Sequence, residues 1–250
     1  MGGSTSGTSS TGGTRTIGER DTRATRATRA TRATATRATR SIRPPPWLHA
    51  VIIVLALIPF AWAAFALGSD LFGDTRYFGS EPIKESEHYT GKWALRFLLL
   101  TLAITPAIRI TQQGWLVRYR RTFGLIAFGY ACVHLSIYFG LDIELMWDFL
   151  VEDVLDRTYI TLGMTALLLL IPLALTSTKA SIRRLGSKRW NALHRLIYVS
   201  AVLGCIHFYM AVKRDVREPL VYMAILATLL GYRLVTRRRK ARVARDAARA

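Results

Sequence analysis

Three histidines lie inside long apolar stretches of this chain: His134 in LIAFGYACVHLSIYFG, and His194 and His207 in WNALHRLIYVSAVLGCIHFYM. An ionisable side chain at membrane depth is costly to keep and by default marks function. Neutral imidazole offers one nitrogen as a donor and the other as an acceptor or metal ligand. It is a standard axial ligand for haem iron, and a helix bundle can hold such a group between facing helices. His194 and His207 are thirteen residues apart, about 20 Å along an α-helix but roughly 140° apart around it. Either that helix is irregular, or the two side chains reach different partners. Arg120 lies fourteen residues before His134 and on nearly the same helical face.

The elements that carry these residues are membrane helices. A span needs about 20 mostly apolar residues, and six windows qualify, near 48–68, 91–110, 122–140, 158–176, 191–212 and 218–235. The intervals between them alternate in charge. Asp70, Asp74, Glu81, Glu85 and Glu87 separate the first two windows, and Asp142, Glu144, Asp148, Glu152, Asp153 and Asp156 separate the third and fourth. Arg109, Arg118, Arg120 and Arg121 lie between the second and third, and Lys179, Arg183, Arg184, Lys188 and Arg189 between the fourth and fifth. Lys and Arg mark the cytoplasmic side, so both termini are expected inside. Only the short interval holding Lys213, Arg214, Asp215, Arg217 and Glu218 is mixed. With this topology His134 and His207 share a depth in the outer half and can grip one haem between two helices. His194, near the cytoplasmic end, suits a second haem beneath the first. It has no histidine partner at its depth, so that site is either single-histidine or completed by Arg120 meeting a haem propionate.

The 250 residues carry a formal charge of +19 while 51% are apolar. That combination fits lipid-embedded helices flanked by arginine. No folded basic domain of the kind that binds nucleic acid is visible. Residues 1–46, with the near-repeat TRATRATRATRATATRATR, read as a disordered Arg/Thr/Ala-rich cytoplasmic tail without a secretory signal. Residues 47–236 form the transmembrane domain, and 237–250 a basic cytoplasmic tail. The segment after the last span is too short for a fused nucleotide-binding reductase domain. Cys132 and Cys205 read as small apolar fillers and form no CxxC pair. His49 and His88 read as interfacial, and Trp47, Trp93, Trp190, Tyr209 and Tyr222 as aromatic-belt anchors.

The histidine arrangement resembles the ferric-reductase-like transmembrane family. The strings that carry the resemblance are HYTGKWALRFLLLTLAITP, RYRRTFGLIAFGYACVHLSIY, RTYITLGMTALLLLIPLALTST and LGSKRWNALHRLIYVSAVLGCIHFYMAVK, spanning about residues 88–214. Within that family they look most like the haem-binding membrane subunits of protein-methionine-sulfoxide reductase systems. The resemblance implies one or two b-type haems, carried over onto His134, His194 and His207, with FMN as a possible further cofactor. It also implies a bacterial inner-membrane location and electrons taken from the quinone pool or a cytoplasmic flavin reductase. Those electrons would pass to a periplasmic molybdopterin enzyme of the MsrP kind, which repairs oxidised envelope proteins. No P-loop or GxGxxG run marks an FMN site.

The expected fold is therefore all-α: a polytopic six-helix transmembrane bundle with haem between helices. The expected function is electron transfer as a non-catalytic subunit of an oxidoreductase complex. A b-type cytochrome serving another acceptor such as ferric iron is the nearest alternative. A transporter relaying protons through histidines is disfavoured, because the halves show no repeat and no embedded carboxylate is obvious.

Overall fold

The computed structural model describes residues 2–3, 44–212 and 215–249, so most of the expected N-terminal tail lies outside the described residues, as do Lys213 and Arg214. Among the described residues all regular structure is helical. The helices are α1 (Trp47–Phe72), α2 (Pro82–Thr111), α3 (Val117–Ile137), α4 (Trp147–Asp156), α5 (Thr158–Leu175), α6 (Lys179–Leu193), α7 (Leu196–Ala211) and α8 (Arg217–Ala247). A short π turn, Tyr138–Asp142, extends α3. Helices α1, α2, α3 with its flanking turns, α5 and α8 are each long and apolar enough to cross a membrane. The bent pair α6–α7 makes a sixth span if taken as one. Helices suit this setting because each satisfies its own backbone groups, which hydrocarbon cannot.

α2 is central, packing against α1, α3, α7 and α8, and its tightest partner is α3. The other extensive pairing is α5 with α7, and the two pairs meet mainly where α3 touches α5. Leu95, Phe97, Leu98, Leu99 and Leu102 of α2 form the middle of the core, against Tyr130, Leu170, Ala201 and Tyr222 from the other spans. α1 buries only Ala56, Pro59, Ala63 and Ala66. Those small residues recur at helical spacing and let α1 close on α2, while Leu55, Leu57 and Ile58 stay exposed, as a lipid-facing helix requires. Interhelical bonds to backbone carbonyls fix the register. Tyr130 donates to the Ala56 carbonyl at 2.6 Å and Ser200 to the Ala166 carbonyl at 2.9 Å.

Three features differ from what the sequence suggests. The basic interval before the fifth span is not a loop but the helix α6, interrupted at Gly186, whose φ of 73° and ψ of 151° are open essentially to glycine alone. The fifth span itself is broken at His194–Arg195, with a 40° bend between α6 and α7. The ideal-helix angle between His194 and His207 therefore does not apply. Finally, α8 runs for 31 residues, about 46 Å at 1.5 Å per residue. That exceeds a hydrocarbon core of about 30 Å, so the basic C-terminal segment continues as helix.

Candidate functional site

α3 and α7 bring His134 and His207 together, with ring centroids 6.1 Å apart and planes steeply inclined at 73°. Each ring is held from behind by the helix that pairs with its own. His134 Nδ1 lies 2.9 Å from the Glu87 carbonyl on α2, and His207 Nδ1 lies 2.6 Å from the Tyr159 carbonyl on α5. A carbonyl can only accept, so in each case Nδ1 carries the proton and Nε2 keeps its lone pair free. The rings reach those carbonyls because the residue one turn further along each supporting helix is glycine. A Cβ on Gly91 would meet His134 Nδ1 at 3.2 Å, and one on Gly163 would meet His207 Nδ1 at 2.8 Å. The same device thus appears twice: a carbonyl, a glycine four residues later, and an imidazole laid across it from the neighbouring helix.

This geometry fits a shared metal. Imidazole nitrogens sit about 2 Å from a bound first-row metal, which sets opposed ring centroids about 6 Å apart. Among the described residues no group of three or more His, Cys, Asp or Glu is gathered that would hold a bare ion. Two ligands without further donors suit a metal whose remaining coordination sites are filled by its own macrocycle, as in haem. Partner bonds to Nδ1, here supplied by carbonyls, are what fix the tautomer and orientation of ligating histidines.

The opposite end of the bundle holds His194 and Arg120. His194 lies at the break between α6 and α7, stacked on Trp190 at 3.8 Å, with Nδ1 3.1 Å from the Trp190 carbonyl and Nε2 buried without a partner. Trp190 is no belt anchor: its indole donates to the Thr176 carbonyl at 3.0 Å and backs the histidine. Arg120 donates to the Thr105 hydroxyl. The structure does not bring His194 to His134 or His207. It adds Arg233, which sequence reading overlooked. Arg233 donates to Thr105 at 2.9 Å, to the Leu102 carbonyl at 2.7 Å and to the Tyr198 hydroxyl. Its signal was present, as a lone arginine inside the apolar run LLGYRLV, but the TRRRK that follows made it look like part of the terminal basic run.

Of the remaining candidates, His88 lies near enough to the paired site for its charge to act on both His134 and His207. His88 is exposed in the second turn of α2, and His49 is exposed with its ring 6.2 Å from that of Tyr119. Trp93 and Tyr222 lie inside the bundle rather than on its belt. Tyr222 is 8% exposed and accepts from Arg96, and Trp93 stacks among Phe97, Tyr130 and the Arg96 guanidinium. Both cysteines are free thiols, Cys205 fully in the core.

Comparison with known proteins gives a consistent result. The family described as "Ferric reductase like transmembrane component" matches residues 90–205. The chain is 47% identical over 201 residues to the protein-methionine-sulfoxide reductase heme-binding subunit MsrQ of Xanthomonas oryzae pv. oryzae (strain MAFF 311018), covering 78% of this chain and 89% of the relative. It is 48% identical over 189 residues to the protein of that name from Xanthomonas campestris pv. campestris (strain 8004), covering 75% and 84%. It is 47% identical over 195 residues to that from Rhodospirillum rubrum, covering 78% and 90%.

Proposed function

Because the chain belongs to the MsrQ family of ferric-reductase-like transmembrane proteins, we propose that it is a b-type cytochrome. In this reading it carries electrons through the bacterial inner membrane to a periplasmic methionine sulfoxide reductase of the MsrP kind. The observation that carries this reading is the facing pair His134 and His207, each with Nδ1 tied to a carbonyl and Nε2 free. Haem, when bound there, supplies one-electron chemistry. The chain's own part is to present two neutral imidazoles, fix their tautomers, and surround them with apolar side chains. Neither cysteine lies in a C-x-x-C-H run, which favours non-covalent, b-type attachment. His194, with its free Nε2, is the ligand for a second haem or the entry point from the donor, which is the quinone pool or a cytoplasmic flavin reductase with FMN as carrier.

Orientation follows from charge. The acid-rich turn and α4 lie at the His134 end, and the basic α6 at the His194 end, so the first faces the periplasm and the second, with both termini, the cytoplasm. Reporter fusions within 142–156 should read outside and fusions within 179–189 inside. The reverse pattern would overturn the assignment of donor and acceptor faces.

α4 is the surface offered to the acceptor. Asp153 is already engaged by Tyr138 and Arg157, which leaves Asp148, Glu152 and Asp156 as its unpaired charges among the described residues. Exposed Trp147 and Phe149 lie beside them. Charges at the rim of an interface act on association rate and on its dependence on salt. The test uses the dithionite-reduced, purified chain. Alone it should not reduce methionine sulfoxide. With the periplasmic enzyme and methionine sulfoxide added, its visible spectrum should return to the oxidised form. Neutralising Asp148, Glu152 and Asp156 together should slow that reoxidation and flatten its ionic-strength dependence. Reoxidation that does not depend on the partner enzyme would defeat the proposal and favour another acceptor.

A further inference from the structure

At the His194 end of the bundle two guanidinium groups converge on one neutral hydroxyl. Arg120 of α3 and Arg233 of α8 both donate to Thr105 Oγ1. Like charges a few ångströms apart repel even in water, and more strongly where water is partly excluded. No carboxylate among the described residues pairs with either, and the charged side chains that act on Arg233 are Arg120 and Arg109. An arginine serving only as a topology marker would extend its head to the interface and water. These two do the opposite. The Nε of each is buried and has no partner. His194 Nε2 and Trp115 Nε1 are also buried without a partner at this end, and Tyr198, which accepts from Arg233, follows His194 by one turn of chain.

We infer that Arg120 and Arg233 form a two-guanidinium site for an oxyanion, a carboxylate or a phosphate, carried by a cofactor bound at this end of the bundle. Guanidinium forks bind such groups in bidentate fashion, which lysine cannot do. An anion between them would also remove the repulsion the pair now bears. Two sources share this chemistry: the propionates of a haem ligated by His194, and the phosphate of a flavin mononucleotide. The inference rests on the electron-transfer reading only for the presence of a cofactor.

The experiment compares full-length protein, purified from membranes, as wild type, Arg233→Gln and Arg233→Lys, with haem per chain and acid-extracted flavin measured for each. The spectrum of the haem at His134 and His207 serves as the folding control. Arg233→Gln should lose the second haem if propionates are bound, or the flavin with haem content unchanged if the phosphate is bound. Arg233→Lys should restore part of the loss, since it keeps charge without the fork, and Arg120→Gln should reproduce the Arg233→Gln result. Unchanged haem and flavin in both glutamine variants would overturn the inference, as would a wild type that carries only the paired-histidine haem and no flavin. Loss of the whole spectrum in His134→Ala, beside unchanged contents in the arginine variants, would sink this inference while leaving the cytochrome reading intact.

Discussion

His134→Ala and His207→Ala should each abolish the absorbance of the haem at the paired site, while the protein remains in the membrane in near-normal amount. The effect is expected to be all or nothing, because among the described residues the site offers two ligands and no third. Loss of the cofactor also removes whatever it adds to folding stability, about 4 kcal/mol for a ligand present at a thousand times its dissociation constant. The variants should therefore melt lower as well as look colourless in that band. Imidazole added to the growth medium should restore part of the spectrum, which a purely structural role for either ring would not allow. His194→Ala should leave this band in place. Reduced-minus-oxidised spectra of purified protein check all of this, and full retention of the band in both alanine variants would refute the ligand assignment.

Gly163→Ala should come close to the same loss without touching a ligand. Its new Cβ would lie 2.8 Å from His207 Nδ1 and 2.9 Å from Cε1, distances that force the ring off its berth. Moving the ring breaks its 2.6 Å bond to the Tyr159 carbonyl. Loss of such an orienting partner typically costs about 10–100-fold in metal affinity. Overpacking itself adds about 1–3 kcal/mol of strain. Gly91→Ala should be milder, since its Cβ would stand 3.2 Å and 3.3 Å from the His134 ring, where a small shift suffices. Haem retained per chain after detergent washing measures the order, and equal retention in Gly163→Ala and wild type would show that the ring does not lie where described.

The spans were legible because the bilayer dictates their length and composition, and the depth match of His134 and His207 followed from counting along them. The fifth span was harder. Its first half is basic, and its break falls at His194–Arg195, two residues that both keep right-handed helical angles, so no local letter announces it. The supports of the two facing imidazoles were invisible for a different reason. They are backbone carbonyls, which carry no residue identity, so Glu87 and Tyr159 look like any other positions. Gly91 and Gly163 were readable as letters, but only helix register shows that each lies under a ring. Trp190 and Tyr222 were misread as belt residues because proximity to a span end looks the same whether a side chain points to lipid or to the bundle.

Each facing histidine and the carbonyl that orients it belong to one helix pair, His134 with α2 and α3, His207 with α5 and α7, and these pairs touch each other far less than their members do. During biogenesis each half can therefore finish its own hairpin with an imidazole already set at the right tilt, before the halves meet. The facing imidazoles then add a clasp to the apolar core that the two halves share. A metal gripped from both sides would tie the two pairs together more firmly than their apolar contacts alone.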